Sequence, residues 1–377
     1  MEDIKTVIEH TRASLCYECG KCSAHCPIAR FNSGYSPRRT MTEVVQGRAE
    51  DLFQNGMVWP CLTCGLCELY CPSNVEYSDF MKQMRGLSND PCDACSHGGG
   101  LQALMRAMAS SELAQHRLDW VTEDLQVAEK GEWLYFVGCL PYFDVFFANL
   151  RADSLKIAQS TVRILNALDI QPVVLNDERC CGHDLLWEGD IENFEQLARR
   201  NLEAIQKSGA KKVVVSCAEC ARTLRMDYQT HLGKLDFEVV HLTELLAEKM
   251  DAGQFSPRGL NRKVTYQDPC RLGRHLGVYD APRKVMAGIP GVELVEMPKN
   301  GKNSVCCGTS AWTHCDVHSK QIQTDRLKSA SETGADVLVT TCPKCAIHFR
   351  CAQSDNGMSE KGSIEVEDLE VIVAEAL

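Results

Sequence analysis

Four short runs of β-branched and aromatic residues recur along the chain, and each of them ends at a cysteine. They are the segments EWLYFVGC, KKVVVSC, KVTYQDPC and ADVLVTTC. Such runs predict buried strands, and helical patterns, NFEQLARRNLEAIQKSG and SKQIQTDRLKSASETG, precede two of them. Strands that alternate with helices predict a mostly parallel sheet, and ligands collect at the carboxyl ends of such strands. The cysteines are therefore expected where a ligand would bind.

Two other segments carry helical patterns. In the segment 27–60, Thr42 is predicted to cap a helix that Gly56 closes. The segment 101–120 has apolar residues at helical spacing, namely Leu101, Leu104, Met105 and Met108. Core packing is favoured over a partner-binding face for this helix. The polar C-terminal tail ends in a β-branched run that predicts a closing strand or helix.

The chain shows no pattern typical of a membrane helix or an export signal. Its most apolar stretch, 133–150, is interrupted by Pro141 and Asp144, so it falls short of the roughly 18 uninterrupted apolar residues that a membrane helix needs. The N-terminus lacks a charged start followed by an apolar core and a cleavage site. We expect a cytoplasmic protein, with membrane association only through a partner.

Composition limits the class of protein further. With 377 residues, of which 44 % are hydrophobic and 24 % charged, the chain is expected to form two to three globular domains. The net charge of -11 argues against nucleic acid as a partner, because nucleic-acid binding needs clustered basic residues. The 22 cysteines are unusual for a chain without an export signal, and at regular spacing they indicate metal binding.

Two cysteine runs near the N-terminus have the spacing of bacterial ferredoxins. The segments CYECGKCSAHCP, 16–27, and CLTCGLCELYCP, 61–72, each place four cysteines before a proline. In such runs three thiolates hold one cubane cluster and the fourth holds the other cluster. The predicted ligands of the first [4Fe-4S] cluster are Cys16, Cys19, Cys22 and Cys71; those of the second are Cys61, Cys64, Cys67 and Cys26. A zinc module built from CxxC pairs is the alternative.

A second cysteine pattern occurs twice in the rest of the chain. A single cysteine, a Cys-Cys-Gly motif and a Cys-x-x-Cys motif follow one another at nearly the same spacing in both copies. The first copy contains Cys139, Cys180, Cys181, Cys217 and Cys220, and the second contains Cys270, Cys306, Cys307, Cys342 and Cys345. This duplication predicts two homologous α/β half-domains. Gly182 and Gly308 are expected to let the backbone pass close to an inorganic group.

This order of motifs behind a two-cluster ferredoxin module resembles the catalytic subunits of heterodisulfide reductase, in the form that fuses the small iron-sulfur subunit with the catalytic one. The resemblance covers residues 10–350. It implies that each five-cysteine set holds a non-cubane [4Fe-4S] cluster. It also implies that Cys180, Cys181, Cys306 and Cys307 are ligands at the substrate site, and His183 is a candidate beside them.

The expected fold is thus α+β or α/β, with an N-terminal helical two-cluster module followed by two cysteine-rich half-domains. The predicted boundaries are 1–90 for the ferredoxin-like domain, 91–130 for a linker and helix, 131–262 for the first half-domain and 263–377 for the second. Because Thr309 stands where the first copy has His183, the two sites are expected to differ chemically.

The resemblance also implies a reaction. Two facing non-cubane clusters would each bind one sulfur of a disulfide, such as the mixed disulfide of coenzyme M and coenzyme B, and deliver one electron to it. The alternative is a non-catalytic electron-transfer subunit, as in glycolate, lactate or glycerol-3-phosphate oxidoreductases or in complexes coupled to benzoyl-CoA reduction. No GxGxxG motif is present, so this chain is expected to bind neither flavin nor nicotinamide. Expected partners are a flavoprotein of the heterodisulfide reductase A type, a hydrogenase- or formate dehydrogenase-type donor, or a membrane cytochrome b.

Four cysteines fall outside both patterns. Cys92 and Cys95, with His97, are a weak candidate for part of a metal site, although the segment is rich in Gly and Pro, as linkers are. Cys315 lies beside His314 and His318, for which either a role in protonating a leaving thiolate or a plain helix surface is open. Cys351 is predicted to be a buried thiol.

Overall fold

The computed structural model describes residues 3–88, 95–355 and 364–377. It divides into two compact units. The first contains Met1–Ala107, Gly182–Phe194 and Val305–Asp325, and the second contains Met108–Cys181, Glu195–Ser304 and Arg326–Leu377.

The helices of the described residues range from four residues in α6 to eighteen in α12. In chain order they are α1 Ile4–His10, α2 Lys21–His25, α3 Pro27–Phe31, α4 Pro37–Val45, α5 Ala49–Gln54, α6 Leu66–Leu69, α7 Tyr77–Leu87, α8 Gly100–Ala109, α9 Leu140–Phe146, α10 Ser154–Ala167, α11 His183–Glu188, α12 Ile191–Ser208, α13 Ala218–Arg222, α14 Tyr228–Leu232, α15 Leu242–Asp251, α16 Asp280–Ala287, α17 Val317–Ser331, α18 Pro343–Ser354 and α19 Leu369–Glu375. Single 3₁₀ turns occupy Ala13–Leu15, Ser96–Gly99, Ala148–Leu150 and Gly301–Asn303, and a π turn occupies Thr223–Asp227.

The described residues form seven strands, β1 Trp133–Phe136, β2 Lys212–Val215, β3 Glu238–His241, β4 Arg262–Tyr266, β5 Val292–Leu294, β6 Val337–Thr340 and β7 Glu365–Asp368. They form two sheets in the second unit, a three-stranded sheet in the order β1-β2-β3 and a four-stranded sheet in the order β5-β4-β6-β7. All neighbouring strands are parallel. The predicted strands and their parallel arrangement are confirmed.

The strands place the cysteines at the carboxyl edges, as predicted. Cys139 follows β1 and Cys217 follows β2, while Cys270 follows β4 and Cys342 follows β6. The hydrophobic core of the second unit includes residues from both sheets, among them Tyr135, Val214, Val264, Tyr266 and Val339. Since burial of apolar area dominates folding stability, this shared core holds in place the carboxyl edges of both sheets, where the cysteines lie.

The helix predicted to begin at Thr42 is wrong in its boundaries. The structure has two helices there, and α4 begins after Ser36, whose hydroxyl accepts a hydrogen bond from the amide of Arg39 at 3.3 Å. Pro37 occupies the first helical position, where its missing amide hydrogen costs nothing. Gly47, with φ +81°, ends the helix before α5. The cap at Ser36 therefore sets the start of α4, and Thr42 lies inside this helix.

The predicted helix 101–120 is wrong at its end, because α8 stops at Ala109. Leu101, Met105 and Met108 are buried, so the preferred interpretation of core packing is confirmed for them. The tail forms both β7 and α19 rather than one of them. None of the helices in the described part of the chain has the length and apolar character required to cross a membrane.

Candidate metal centres

The N-terminal cysteine runs form two similar loops in the first unit. In each loop a glycine between the second and third cysteine, Gly20 or Gly65, adopts a positive φ of +79° or +72°. This left-handed conformation favours glycine and lets the loop turn directly into α2 or α6. Cys22 and Cys67 lie in these helices. The local backbone thus directs three thiols of each run toward one place.

The first predicted ligand set comes together. Cys16, Cys19, Cys22 and Cys71 line a single pocket, so the fourth cysteine of the second run reaches the first run. The amide of Glu18 donates to the sulfur of Cys16 at 3.4 Å, and the amide of Val75 donates to that of Cys71 at 3.4 Å. Amide donors of this kind stabilise thiolates. Their assignment as cluster ligands stays a prediction.

The second predicted set is more deeply buried. Burial raises the pKa of Cys26, and the neighbouring thiols of Cys61 and Cys64 raise it further. Burial likewise raises the pKa of Cys67 well above its usual value, with contributions from Cys64, Cys61 and Cys26. Cys26 is therefore close to the thiols of the other run. A metal that binds such thiols would remove their protons and replace this cost with coordination.

A buried cation lies beside this second set. The guanidinium of Arg85, on α7, donates to the carbonyl of Cys61 at 2.6 Å and to those of Val58 and Trp59 at 3.0 Å. Its positive charge lowers the pKa of Cys61, although burial has the larger, opposite effect. Nothing in the sequence pattern identified Arg85, since its partners are carbonyls of a distant loop. A cation here favours the charged thiolate form that an iron-sulfur cluster requires.

The two sets differ in their access to solvent. Cys19 is exposed, whereas Cys61, Cys64 and Cys67 are buried. Leu15 and Tyr17, next to Cys16, are also exposed, at 58 % and 63 %. The first set is therefore the one at the surface of the first unit.

In the second unit six thiols form a continuous hydrogen-bonded chain. Its order is Cys180, Cys181, Cys220, Cys217, Cys342 and Cys345. The first four belong to the first five-cysteine set and the last two to the second. Cys217 and Cys342 are the contact between the two sets. The structure thus brings thiols from both copies of the motif to one place.

The contact between Cys217 and Cys342 shifts the pKa values of the two thiols in opposite directions. Hydrogen bonds from the thiols of Cys220 and Cys342 lower the pKa of Cys217 well below its usual value. The same contact raises the pKa of Cys342, which donates to Cys217. Backbone amides at the start of α13 also favour the Cys217 thiolate.

An ion pair accompanies this contact. The ammonium of Lys344 lies 2.7 Å from the carboxylate of Glu219, with side chains 2 % and 14 % exposed. The two residues are the corresponding positions inside the two Cys-x-x-Cys motifs. The amide of Ala218 also donates to the carbonyl of Thr341 at 3.3 Å. The opposite charges could be seen in the sequence, but the pattern gave no reason to pair them.

A buried carboxylate holds the loop of Cys139. Glu178 accepts hydrogen bonds from the amides of Gly138 at 2.7 Å and Val137 at 3.1 Å, and from Arg117 at 2.9 Å. Burial raises the pKa of Glu178 to about 7, and Arg117 opposes that shift. Gly138 has φ +65°, and a Cβ there would lie 3.0 Å from the sulfur of Cys220. Sequence analysis missed these residues because their contacts are distant in the chain.

The loop of Cys270 is held differently. Asp268 binds Arg283 at 2.7 Å and accepts the amide of Gly301 at 2.7 Å. Arg283 also binds Glu296 at 2.7 Å. Here the anchoring acid is part of the cysteine loop itself, whereas Glu178 reaches its loop from the flank of the Cys-Cys-Gly motif.

Packing within the protein explains why both Cys-Cys-Gly motifs carry a glycine. Gly182 has φ +85°, and a Cβ there would lie 2.6 Å from the ring of Phe194. Gly308 has φ +99°, and a Cβ would lie 2.9 Å from the carbonyl of Ser319. Glycine is therefore required for packing within the first unit. Whether an inorganic group also approaches these positions stays a prediction.

Predicted site residues from both Cys-Cys-Gly motifs also lie in the first unit. Cys306 and Cys307 are buried there. His183 is buried, and its Nδ1 lies 2.9 Å from Asp184, while Thr309 is hydrogen-bonded to Gln323 at 3.4 Å. The expected chemical difference between the two copies is therefore present as an imidazole-carboxylate pair in one and a hydroxyl-amide pair in the other.

The four other cysteines have separate surroundings. Cys92 lies outside the described residues, and Cys95 is disulfide-bonded in this structure, so the proposed site with His97 stays a prediction that requires the reduced cysteine. Cys315 is exposed, and the neighbouring His314 lies 3.2 Å from Asp316. Cys351 is half-buried rather than buried.

Comparison with known proteins identifies two domain families along the chain. A 4Fe-4S dicluster domain model matches residues 12–75, and a cysteine-rich domain model matches residues 133–225 and 264–350. These matches confirm the predicted fold class, a helical iron-sulfur module followed by two cysteine-rich domains, and they support iron-sulfur clusters as the bound metal.

Among curated proteins, the chain is 32 % identical to one subunit of the dihydromethanophenazine:CoB–CoM heterodisulfide reductase of Methanosarcina barkeri, over 99 % of this chain and 96 % of that protein. It is 26 % identical to one subunit of the fumarate reductase (CoM/CoB) of Methanothermobacter marburgensis, over 92 % of this chain and 69 % of that one. It is 28 % identical to a probable iron-sulfur-binding oxidoreductase of Bacillus subtilis, over 78 % of this chain and 43 % of that one.

A solved structure of a hypothetical protein from Helicobacter pylori is similar to the chain with a TM-score of 0.52 at 11 % identity. The similarity covers 100 % of this chain and 77 % of the Helicobacter pylori chain. At this identity the similarity concerns the fold alone.

Proposed function

Because the chain belongs to the family of heterodisulfide reductase iron-sulfur subunits and is of the oxidoreductase type, we propose that it reduces or forms a disulfide. In this proposal single electrons pass through two cubane clusters to two non-cubane [4Fe-4S] clusters. The disulfide is one such as the mixed disulfide of coenzyme M and coenzyme B, for which the relative is named.

The observation that carries the proposal is the contact between Cys217 and Cys342. A disulfide has two sulfurs and its reduction takes two electrons, while iron-sulfur clusters transfer one electron each. A site of this kind needs two metal groups side by side. The thiols of the two motif copies are in direct contact, which supports such an arrangement.

The donor sets suit iron-sulfur clusters. Thiolate is the ligand that these clusters use, and both N-terminal sets and the six-thiol chain offer sulfur ligands at close range. The proposed ligands of the two cubane clusters are the two N-terminal sets defined above. The proposed ligands of the non-cubane clusters are Cys139, Cys180, Cys181, Cys217 and Cys220 for one and Cys270, Cys306, Cys307, Cys342 and Cys345 for the other. When bound, the clusters would supply single electrons.

The chain's own residues then have distinct tasks. Glu178 and Asp268 hold the loops of Cys139 and Cys270 in place. Arg85 supplies a positive charge beside the second cubane set. The exposed Cys19 suits the first set for receiving electrons from a redox partner. Partners are expected to be redox subunits, because the two methanogen relatives are named as subunits of larger reductases.

The test is anaerobic electron paramagnetic resonance of the reconstituted protein during oxidation, with and without coenzyme M. A signal that appears only with the thiol, and is lost in Cys180→Ser, is expected. Cys351→Ser, a half-buried thiol outside both five-cysteine sets, is the matched control and should keep the signal. Iron at about sixteen atoms per chain with no thiol-dependent signal would instead indicate an electron-transfer protein whose chemistry lies in a partner.

A further inference from the structure

A buried arginine in the first unit joins the second cubane set to the helix that follows the first Cys-Cys-Gly motif. The guanidinium of Arg85 donates to the carbonyl of Cys61 at 2.6 Å and to the carbonyl of Trp187, on α11, at 2.8 Å. Arg85 is only 1 % exposed. Carbonyl oxygens carry no net charge, so these hydrogen bonds leave the positive charge of the guanidinium in place, away from water.

Close packing fixes the position of this charge. Gly189 directly follows α11 and has φ +98°, and a Cβ there would lie 2.8 Å from the main-chain carbonyl carbon of Arg85. The two backbones can therefore approach each other only because residue 189 is a glycine. The ring of Trp59 lies 5.6 Å from the guanidinium carbon, within the range of a cation–π contact. Arg85 is thus held by the end of α11 and by the loop that carries Cys61.

The guanidinium is close to a predicted cluster ligand. The carbonyl oxygen and the sulfur of one cysteine are four bonds apart, so the guanidinium nitrogen bound to the Cys61 carbonyl lies within about 8 Å of the Cys61 sulfur. The amide of Thr63 donates to that sulfur at 3.3 Å. Positive charge nearby and amide donors to sulfur both favour added negative charge on an iron-sulfur cluster.

The corresponding loop of the first set carries different charges. There the amide of Glu18 donates to the sulfur of Cys16 at 3.4 Å, as the amide of Thr63 does to Cys61. The side chain of Glu18 is 52 % exposed, and that of Arg38, 3.9 Å from it, is 46 % exposed. Solvent screens exposed charges, so this pair acts on a nearby metal group less than a buried charge does. The two loops share a backbone hydrogen bond and differ in charge.

Burial and the charge of Arg85 have opposite effects on reduction of the second set. Reduction adds negative charge to an iron-sulfur cluster, and a buried, low-dielectric surrounding disfavours that charge. One buried positive charge at about 8 Å favours it, changing the equilibrium roughly tenfold or more. The exposed first set needs no such compensation. Arg85 therefore provides what the buried set requires in order to be reduced by the exposed one.

We propose that Arg85 raises the reduction potential of the second cubane cluster, so that this buried cluster accepts electrons from the exposed first one. This rests on the proposed function, which assigns the two ligand sets. The step transfers one electron, by which the first cluster is oxidised and the second is reduced, and no bond forms or breaks. The electron is supplied by the redox partner that reduces the first cluster. Electrons are thereby directed from the surface of the first unit to its interior.

The experiment is an anaerobic redox titration of the reconstituted protein, followed by electron paramagnetic resonance. Arg85→Gln removes the charge and keeps a hydrogen-bond donor, whereas Arg85→Lys keeps the charge. At the potential that half-reduces the second cluster of the wild type, the ratio of reduced to oxidised cluster should fall roughly tenfold in Arg85→Gln. This is a shift of about 59 mV to lower potential for a one-electron couple. In Arg85→Lys the ratio should stay within about threefold of the wild type.

Lys82→Met is the matched control. Lys82 is a cation on the same helix, three residues before Arg85, and it is paired with Asp79 at 2.7 Å. Its loss should shift the potential less than Arg85→Gln does. Cys19→Ser and Cys64→Ser assign the signals, because each alters one of the two ligand sets. Iron per chain should be unchanged in the Arg85 and Lys82 variants, so that a shift in potential cannot come from loss of a cluster.

The outcomes separate this inference from the proposed function. An unchanged potential in Arg85→Gln, at full iron content, would overturn the role of Arg85 and leave the cluster assignment intact. A wild-type potential of the second cluster below that of the first would also overturn it, and this measurement decides even if Arg85→Gln loses its cluster. If no signal of the wild type depends on Cys64, the ligand assignment of the proposed function fails, and the inference fails with it.

Discussion

The two cysteine-rich half-domains hold equivalent loops with different chemistry. In the first, Glu178 and Arg117 form an almost fully buried pair around the loop of Cys139, with side chains 1 % and 2 % exposed. In the second, Asp268 and Arg283 hold the loop of Cys270, and the arginine is 21 % exposed. Duplicated backbones therefore keep the cysteines in place while the supporting charges diverge.

A similar divergence occurs at the last strand of each half. β3 ends at His241 and β7 ends at Asp368, and each residue immediately precedes a helix. Burial lowers the pKa of His241 to about 4, so the imidazole is neutral, whereas burial raises the pKa of Asp368. Burial thus favours the uncharged form at both positions, the neutral imidazole at one and the neutral carboxyl group at the other. The half-domains share a fold and differ in how they handle charge.

The largest expected effect tests whether the halves are separate metal centres. Cys217→Ser and Cys342→Ser should each remove about four iron atoms per chain, one [4Fe-4S] cluster, and the double variant about eight. Iron and sulfide analysis of the reconstituted proteins measures this, with Cys351→Ser as control. A loss of about eight in either single variant would mean that the contacting thiols serve one shared centre, and the comparison of two centres would fail.

Removing the anchoring acids should destabilise the first half more than the second. Glu178→Ala leaves Arg117 buried without its carboxylate, and losses of about 3–5 kcal/mol are typical of such changes. Asp268→Ala should cost less, because Arg283 keeps Glu296 at 2.7 Å. Anaerobic urea unfolding gives the free energy of unfolding for both variants.

The control for these two variants is Glu293→Ala, an exposed carboxylate on β5 with 68 % of its side chain accessible. Its free energy of unfolding should match that of the wild type. Equal losses in Glu178→Ala and Asp268→Ala would contradict the distinction drawn between the two anchors.

The ion pair between Glu219 and Lys344 should stabilise the protein by linking the Cys-x-x-Cys motifs of the two half-domains. Glu219→Gln and Lys344→Met each remove one charge of this buried pair, so each should destabilise the protein. The double variant should lose less than the sum of the two, with a coupling energy of about 1–3 kcal/mol, as for residues in contact. Additive losses in a double-mutant cycle would show that the 2.7 Å contact contributes no stability.

The sequence predicted those features that arise from local patterns. The runs before Cys139, Cys217 and Cys342 are strands because aromatic or β-branched residues dominate them. The ferredoxin spacing brought Cys71 and Cys26 to the opposite runs. These signals lie within a few residues of each other, or in a motif of fixed spacing.

The rest depends on contacts between distant segments. Glu178 binds amides about forty positions earlier, and the partners of Arg85 are carbonyls of another loop. No periodicity marks such residues, since a buried charge is specified by its three-dimensional surroundings. The helix boundary at Thr42 failed for a related reason, because the cap at Ser36 and the turn at Gly47 together decided where the helices lie.

His241 and Glu370 should contribute to the pH dependence of stability in opposite directions. Because the pKa of His241 is lowered from 6.5 to about 4, stability from this group is present above pH 6.5 and is lost as the pH falls toward 4. Because the pKa of Glu370 is raised from 4.5 to about 7, its contribution is present below pH 4.5 and is lost as the pH rises through 7.

His241→Gln should flatten the acid side and Glu370→Gln the neutral side, each by on the order of 1–3 kcal/mol. Urea unfolding at a series of pH values measures both, and Glu365→Gln should change neither. Part of the neutral-side slope should remain in Glu370→Gln, because burial also raises the pKa of Glu178 to about 7. A slope as steep in Glu370→Gln as in the wild type would contradict the contribution of Glu370.

The smallest expected effect asks whether two corresponding tyrosines contribute equally to stability. The buried hydroxyl of Tyr135 is hydrogen-bonded to that of Ser216 at 2.8 Å, and the buried hydroxyl of Tyr266 to that of Thr341 at 2.9 Å. Tyr135→Phe and Tyr266→Phe should each lower the free energy of unfolding by about 0.5–1.5 kcal/mol, because each removes one such hydrogen bond. Anaerobic urea unfolding measures both losses, with Glu293→Ala as the control. A loss in only one variant would show that the halves differ in their hydroxyl pairs as they do in their anchoring charges.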